Sequence, residues 1–327
     1  MCRFHILYNI VLAAMLLSMS CSSASGNSES SNAPKAMSEE KSDVVFDADS
    51  AFSYIVTQVG FGPRVPGSTA HAACADWLAA WLREKGAVVD DKTERIKHPV
   101  DGSGLEVRNI FARFNPDAAE RILILAHYDT RPWADADSDA ANHNKPIDGA
   151  NDGGSGVAVA MELARHASNL PKNRGLDVLF VDQEDSGYSG NDDSWCIGSA
   201  YWAMNQPYSA GNLPRFAVLL DMVGGRNARF PREYFSEAHA SQINDIVWST
   251  ARRLGYTERF PDVIGGAIND DHIPLLRAGI PTIDIIETTA YGFNPTWHTL
   301  DDNLDNIDKT TLKEVGDVML HIIYKSK

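Results

Sequence analysis

The sequence predicts an α/β fold: a single domain built on a central, twisted, mostly parallel mixed sheet with helices on both faces. Short apolar runs, typical of buried strands, alternate along the chain with longer segments of helical periodicity. Strands that alternate with helices form largely parallel sheets whose two faces are both covered. The strands are expected at residues 107–114, 121–126, 176–181, 216–220 and 282–286.

Helical segments are expected between and around these strands. One begins at Ser68 or Thr69, carries apolar residues at helical spacing, and stops at Gly86. The last one begins at Asp308, whose carboxylate suits an N-cap, and has an apolar stripe along one face. The helices after the first are expected at residues 155–167, 198–204, 240–254 and 308–324.

The first 43 residues are expected to lie outside this domain. Residues 1–20 combine an early Arg3 with an apolar run too short to span a membrane, which indicates a secretory signal. The residues before Cys21 resemble the cleavage box of bacterial lipoproteins, in which this Cys is lipidated. Residues 21–43 have the composition of a flexible tether. We therefore expect an exported protein that faces the periplasm and touches a bacterial membrane only through its lipid anchor, with an ordinary cleavable signal as the alternative.

Composition narrows the remaining possibilities. The chain has 327 residues, of which 44% are hydrophobic, so residues 44–327 can form one large domain with an ample core. The net charge of −15 argues against nucleic acid as a partner, because phosphate binding needs clustered Lys and Arg. Within the domain, Cys74 and Cys196 either form a disulfide or remain buried thiols. A monomer is the default oligomeric state.

Polar residues follow several of the predicted strands. His127 follows the second strand, Glu184 and Asp185 follow the third, and Asp221 ends the fourth. In parallel α/β sheets, ligands bind beyond the C-terminal ends of the strands, so these side chains should lie together. The pattern predicts a metal site at this edge of the sheet.

The candidate metal ligands are Asp152, Asp185 and His298. Catalytic zinc typically takes three protein ligands from His, Asp, Glu and Cys and keeps one position open. Asp152 lies in the glycine-rich segment 149–156, where tight backbone turns are possible, although alone it would be interpreted as a helix-capping Asp. Glu184 points to a different side of the chain from Asp185 and suits general acid–base catalysis, the plain alternative being a solvated loop glutamate.

Aromatic and acidic residues should surround this site. Trp297 directly precedes His298 and is expected in a pocket wall, whereas Trp195 is equally compatible with a wall or with the core. Asp270 opens an Asp-Asp-His sequence that either caps a helix or faces Asp221 and the acid–base glutamate. In the second case the carboxyl groups would share a proton, which raises the pKa of one of them.

From about Asp47 to the C-terminus, the chain resembles the zinc-dependent glutaminyl cyclases of the animal type and their bacterial relatives, which share a fold with zinc aminopeptidases. The similarity is carried by six motifs in order: His127-Tyr128-Asp129, Asp152, Glu184-Asp185, Leu220-Asp221, Asp270-Asp271-His272-Ile273-Pro274, and Trp297-His298-Thr299 followed by Asp301-Asp302-Asn303. The resemblance implies one zinc ion per chain on Asp152, Asp185 and His298, catalysis by Glu184 with Asp221 and Asp270, and substrate contacts by Trp195 and Trp297. The implied substrates are peptides or proteins with N-terminal Gln, or Glu, and the product is pyroglutamate.

The chain departs from the animal pattern at three positions. Ala126 stands where a disulfide-forming Cys is usual, so the resemblance implies that this bridge is missing. Asp185 is a shorter ligand than the usual Glu, and the backbone must therefore come closer to the metal. Asp284 replaces a His in the surrounding hydrogen-bond network.

Two alternatives to a cyclase stay open. In a two-zinc aminopeptidase, His127 and Asp221 would hold a second metal ion, with Asp152 bridging the two. Trp297 next to the ligand His298 and Asp185 in place of a Glu both argue against the peptidase. The other alternative is a surface lipoprotein that keeps the fold without its chemistry, but no candidate ligand position carries an incompatible residue.

Overall fold

Helices and strands alternate along the chain in the computed structural model, which describes residues 44–209 and 211–325. The helices of this part are α1 (Ala48–Gly60), α2 (Thr69–Glu84), α3 (Gly154–Arg165), α4 (Ile197–Asn205), α5 (Tyr234–Leu254), α6 (His272–Arg277) and α7 (Lys309–Leu320). Its strands are β1 (Val88–Asp90), β2 (Glu94–Lys97), β3 (Gly104–Val107), β4 (Ile110–Phe114), β5 (Glu120–His127), β6 (Arg174–Val181), β7 (Phe216–Asp221) and β8 (Thr282–Ile286).

Six of these strands form one mixed sheet in the order β1-β4-β6-β5-β7-β8. The strands β6, β5, β7 and β8 are parallel to one another. The strand β4 pairs antiparallel with β6 on one side and with β1 on the other. The strands β2 and β3 form a separate antiparallel hairpin. The predicted fold class is confirmed.

The core explains why the central strands are mostly apolar and why β5 is apolar at every position from Ile122 to Ala126. In β5, Ile122 and Ile124 belong to the larger of two apolar clusters, which also includes α3 and α7. Leu123 and Leu125 belong to the smaller cluster on the opposite face, together with Trp202 of α4. Because side chains alternate between the two faces of a strand, a sheet covered on both faces requires apolar residues at every position.

Most predicted elements are found with shifts of a few residues at their ends. The helix expected at 240–254 begins earlier, at Tyr234, and α7 continues into a π-helical turn at His321–Lys325. The prediction of one strand over residues 107–114 is wrong, because β3 ends at Val107 and β4 begins at Ile110. The helix α1 and the strands β1 and β2 were not predicted.

The break between β3 and β4 has a tertiary cause. The Arg108 backbone N–H donates to Asp182 Oδ2 at 2.8 Å, and Asn109 Nδ2 donates to the Gly198 carbonyl at 2.8 Å. These contacts turn the backbone away from either strand and link it to the loops that follow β6.

Three other predictions concern the two cysteines, membrane-spanning helices and the N-terminal residues. Cys74 and Cys196 are both free and buried, so the disulfide alternative is wrong. No helix of the described residues is long and apolar enough to cross a membrane. The expected signal at 1–20, the lipidation site Cys21 and the tether at 21–43 lie outside the described residues.

Candidate active site

The carboxyl ends of the parallel strands bring the predicted site residues to one edge of the sheet. His127 is the last residue of β5 and Asp221 the last residue of β7, and these two strands are hydrogen-bonded neighbours. The Glu184-Asp185 pair lies just beyond the end of β6, on the other side of β5. The sheet topology therefore places the side chains near one another, although they are far apart in the sequence.

The three candidate metal ligands meet at one point. Asp152, Asp185 and His298 are buried, and one potential ligand atom from each lies within 4.8 Å of the others. His298 Nε2 is 3.1 Å from Asp185 Oδ1 and 3.7 Å from Asp152 Oδ2. Burial opposes a charge on His298, but the Asp185 carboxylate outweighs this effect and raises the pKa of the imidazole to about 9. The carboxylates therefore favour a positive charge on the imidazole, and they would favour a metal cation between them in the same way.

The unmet hydrogen-bonding capacity of Asp185 fits a metal ion. Both of its carboxylate oxygens are buried and accept no hydrogen bond from the described residues. Burial raises the pKa of Asp185 to about 6, and repulsion by Asp152 adds to the effect. A divalent cation would supply the missing partner, and two carboxylates with one imidazole form a donor set that zinc accepts.

Asp302 and Gly153 fix the position of Asp152. The Asn151 and Asp152 backbone N–H groups donate to the Asp302 carboxylate at 2.7 and 3.1 Å. A Cβ at Gly153 would lie only 2.3 Å from the His127 carbonyl oxygen, so only glycine allows this close approach. Asp302 was predicted only within the resemblance to a family, since its role depends on a contact with distant backbone.

Asp129 and Arg131 help to hold the other two candidate ligands, Asp185 and His298, in position. The Glu184 and Asp185 backbone N–H groups donate to the Asp129 carboxylate at 3.2 and 3.1 Å. Arg131 donates to the Asp185 carbonyl at 3.0 Å and also pairs with Asp135, whose Oδ1 is 3.4 Å from His298 Nδ1. A carboxylate on the second ring nitrogen orients a ligand histidine. Sequence patterns did not predict these roles, and Asp129 was included only as part of its motif.

Glu184 lies beside the ligands without being one of them. Its carboxylate forms a group within 4.8 Å with Cys196 and Asp270, and the Cys196 thiol donates to Glu184 Oε1 at 3.5 Å. Burial raises the pKa of Glu184 well above its usual value, and repulsion by Asp185 and Asp270 adds to this. A carboxyl group with a raised pKa, half-buried at the wall of a pocket, can both accept and donate a proton during a reaction.

The acidic residues behind Glu184 lie close together in a buried space. Burial and repulsion by Asp221 raise the pKa of Asp270 well above its usual value. Burial and repulsion by Asp270 do the same for Asp284, which packs beside it. Asp270 thus faces other carboxyl groups, and the helix-cap position before α6 is taken by Asp271, whose side chain makes no capping hydrogen bond.

His127 contacts two acidic residues at once. Its Nε2 atom is 2.9 Å from Asp152 Oδ1 and 3.2 Å from Asp221 Oδ1. Burial alone would lower the pKa of His127, but hydrogen bonds to Asp129, Asp152 and Asp221 raise it well above its usual value. These three residues, His127, Asp152 and Asp221, also form a second group that can hold a metal ion.

The site opens into a cavity of about 290 Å³ with aromatic walls. The Trp297 ring stacks on His298 with ring centroids 3.6 Å apart, and the Trp195 ring lies nearly parallel to His298 at 6.1 Å. The Arg131 guanidinium covers the Trp195 ring at 4.7 Å. Both predicted tryptophans therefore line the pocket.

Comparison with known proteins places this site in a family. Residues 109–323 match peptidase family M28. The chain belongs to peptidase family M28. A crystal structure from this family, Bacteroides thetaiotaomicron glutaminyl cyclase bound to N-acetylhistamine, is 46% identical, with a TM-score of 0.82 over 87% of this chain and 99% of that chain. The resemblance to glutaminyl cyclases is confirmed.

Two further similar proteins carry different names. A Bacteroides thetaiotaomicron protein described as a leucine aminopeptidase precursor is also 46% identical, with a TM-score of 0.82 over 87% of this chain and 99% of that chain. The glutaminyl-peptide cyclotransferase of Bos taurus is 26% identical over 239 residues, which cover 64% of this chain and 64% of the bovine enzyme. The M28 fold therefore carries both cyclase and peptidase names at similar distance from this chain.

Proposed function

We propose that the protein is a glutaminyl-peptide cyclotransferase, which converts the N-terminal glutamine of peptides or proteins into pyroglutamate and releases ammonia. The observation that carries the proposal is the Glu184 carboxyl, which has a raised pKa and lies beside the Asp152, Asp185 and His298 cluster without joining it. The cyclase relatives support the same reaction.

Zinc is the cofactor in this proposal, one ion per chain. Asp152, Asp185 and His298 would hold it, as the unpartnered Asp185 oxygens and the donor set indicate. When bound, the ion would act as a Lewis acid on the γ-carbonyl of the substrate glutamine.

The protein's own residues would handle the protons. Glu184 accepts a proton from the α-amine while the amine nitrogen forms a bond to the side-chain amide carbon. The carbon–nitrogen bond of the amide then breaks, and Glu184 returns the proton to the departing nitrogen, which leaves as ammonia. Asp221 and Asp270 hold Glu184 and the amine in place, and Trp195 and Trp297 exclude water, which would hydrolyse the amide instead.

A two-metal aminopeptidase is the second candidate function. The group of His127, Asp152 and Asp221, and the M28 relative described as an aminopeptidase precursor, favour it. Against it stands Trp297, whose ring stacks on His298 with ring centroids 3.6 Å apart and so crowds the space beside the proposed metal ligands.

One experiment separates the two functions. A peptide with N-terminal Gln is incubated with the zinc-loaded protein and followed by mass spectrometry. We expect a loss of about 17 Da, the mass of ammonia, with no free amino acid. Release of free glutamine, or two zinc ions per chain by elemental analysis, would favour the peptidase.

The role of Glu184 has its own test. Replacement Glu184→Gln keeps the shape but removes the base, so turnover should fall by about 10²- to 10⁴-fold while zinc stays bound. Replacement Glu258→Gln, at an exposed position, serves as the matched control. Unchanged turnover in the Glu184→Gln protein would remove this residue from the mechanism.

Export, lipid anchoring and the monomeric state complete the proposal, and they rest on the sequence. Labelled palmitate should be incorporated in cells that express the full chain and should be lost on Cys21→Ser replacement. Light scattering of the protein from residue 44 onwards should give the mass of one chain. Palmitate labelling that survives the replacement would contradict Cys21 as the lipidation site.

A further inference from the structure

A groove next to the active-site cavity is large enough for more than the reacting residue. Its volume is about 1210 Å³, compared with about 290 Å³ for the cavity that contains Glu184 and the metal ligands. Typical small-molecule pockets measure roughly 300 to 1,000 Å³. The smaller cavity therefore suits one glutamine residue, and the rest of a peptide substrate needs a second surface.

The two spaces adjoin each other. Asp192, Trp195, Ala267 and Asn269 line both, and they define the neck between them. Asn269 Nδ2 donates to the Asp192 carbonyl at 3.3 Å, which ties the two sides of the neck together. Because the α-amine of the substrate must reach Glu184, the chain that follows the first residue has to leave the cavity, and the groove is the space that adjoins it.

The neck is acidic. Asp192 lines both spaces and Asp193 lines the groove, and both side chains are exposed. Neither has an ion-pair partner among the described residues. Their short 3₁₀ turn is ordered, since the Asp193 backbone N–H donates to the Asn191 side chain at 3.2 Å and the buried Ser194 hydroxyl donates to the Asn191 carbonyl at 2.6 Å.

The rest of the groove is lined mostly by apolar side chains. Tyr201 and Met204 of α4 face it, as do Phe235 of α5 and Ile273 of α6. Met204 is 78% exposed and adds a large apolar side chain to this surface. An apolar side chain of a bound peptide would cover this surface.

We propose that this groove binds the substrate residues that follow the N-terminal glutamine and selects a cationic residue at the second position with an apolar residue after it. The inference rests on the proposed cyclase function and adds the substrate class to it. Lys97 and Arg277 line the groove but not the smaller cavity, so we assign the cationic preference to Asp192 at the neck and to Asp193, which follows it in the chain.

Three amidated peptides test the proposal. They are the dipeptide Gln-Ala and two hexapeptides, Gln-Lys-Leu-Ala-Ala-Ala and Gln-Glu-Leu-Ala-Ala-Ala, which differ only at the second residue. We expect kcat/KM to be roughly tenfold higher for the Lys peptide than for the Glu peptide, mainly through KM, since an exposed charge pair contributes up to about fivefold and repulsion adds to it. The ratio should shrink at high salt because exposed charges are screened.

Two variants and a control assign the effect to the groove. Asp193→Asn should lower the Lys-to-Glu ratio about two- to fivefold. Met204→Ser should lower the kcat/KM of both hexapeptides about threefold relative to the dipeptide, because apolar contact is lost. Asp117→Asn changes an exposed carboxylate beside the opposite end of β5 and should leave every ratio unchanged.

The outcomes separate this inference from the proposed function. If the dipeptide is cyclised but the two hexapeptides react equally well in every variant, the groove does not bind substrate and the inference is overturned. If the dipeptide itself is not cyclised, the proposed function fails. Cyclisation with the expected ratios supports both.

Discussion

Glu287, just after β8, provides a quantitative test of how burial controls charge near the active site. Its side chain is only 4% exposed and accepts hydrogen bonds from Asn294 Nδ2 at 2.7 Å and Asn151 Nδ2 at 3.4 Å. Burial raises the pKa of this carboxyl from 4.5 to about 7, because the two amide donors only partly replace water. Each unit of pKa difference between the folded and unfolded states corresponds to about 1.4 kcal/mol, so ionised Glu287 destabilises the fold by about 3 kcal/mol.

The sign of the effect follows from the protons bound in each state. Between pH 4.5 and about 7 the folded chain keeps a proton on Glu287 that the unfolded chain has released. This group therefore stabilises the fold fully below pH 4.5, and its contribution is lost as the pH rises towards 7. Above about pH 7 both states have released this proton, so the destabilisation by ionised Glu287 no longer changes with pH.

The replacement Glu287→Gln removes this titration. We expect the free energy of unfolding of the variant, relative to the parent protein, to rise by about 3 kcal/mol between pH 4.5 and pH 8. Urea unfolding at the two pH values, at constant zinc, measures this change. The exposed Glu258→Gln variant is the control and should show a much smaller one. A difference between Glu287→Gln and the parent that is the same at both pH values would refute the argument from burial.

Three further replacements test other parts of the structure. Asp185→Ala removes a proposed ligand, and zinc affinity measured by chelator competition should fall by at least about 100-fold, since losing even an indirect partner costs 10- to 100-fold. Arg131→Lys removes the planar guanidinium that donates to the Asp185 carbonyl and covers the Trp195 ring. We expect kcat/KM to fall about tenfold, while elemental analysis still finds bound zinc. Arg121→Met leaves the buried Asp177 without its ion-pair partner, so urea unfolding should show a loss of about 3 to 5 kcal/mol while kcat stays unchanged.

The strands could be predicted because their burial leaves a direct record in the sequence. A strand covered on both faces, such as β5, is apolar at successive positions, and its end is marked by the next polar residue, His127. The strand expected at 107–114 failed because Arg108 and Asn109 are held by distant loops, which no local pattern shows. The helix α1 was missed although Asp47 caps it and Ile55 lies on its buried face.

The site residues also fall into a group that the sequence predicts and a group that it does not. Residues at strand ends, such as His127, Glu184 and Asp221, could be predicted because topology alone brings them together. Asp129 and Arg131 act on backbone atoms more than 50 residues away, and a sequence does not show which backbone groups lie near a side chain. Side chains that orient a site through long-range hydrogen bonds therefore became visible only in the structure.

The electrostatics of the site link its fold to its chemistry. Asp152 and Asp185 repel each other in a buried space, and the two Asp185 oxygens accept no hydrogen bond from the described residues. On the other side of Glu184, burial and repulsion by neighbouring carboxylates raise the pKa of Asp270 and of Asp284 well above their usual values, which favours the protonated form of each. One half of the site thus favours a metal cation and the other half favours protons, and Glu184 lies between them. A base in that position has a ready exchange partner for protons on one side and a place for a polarised carbonyl on the other, which is what an intramolecular attack of an amine on an amide requires.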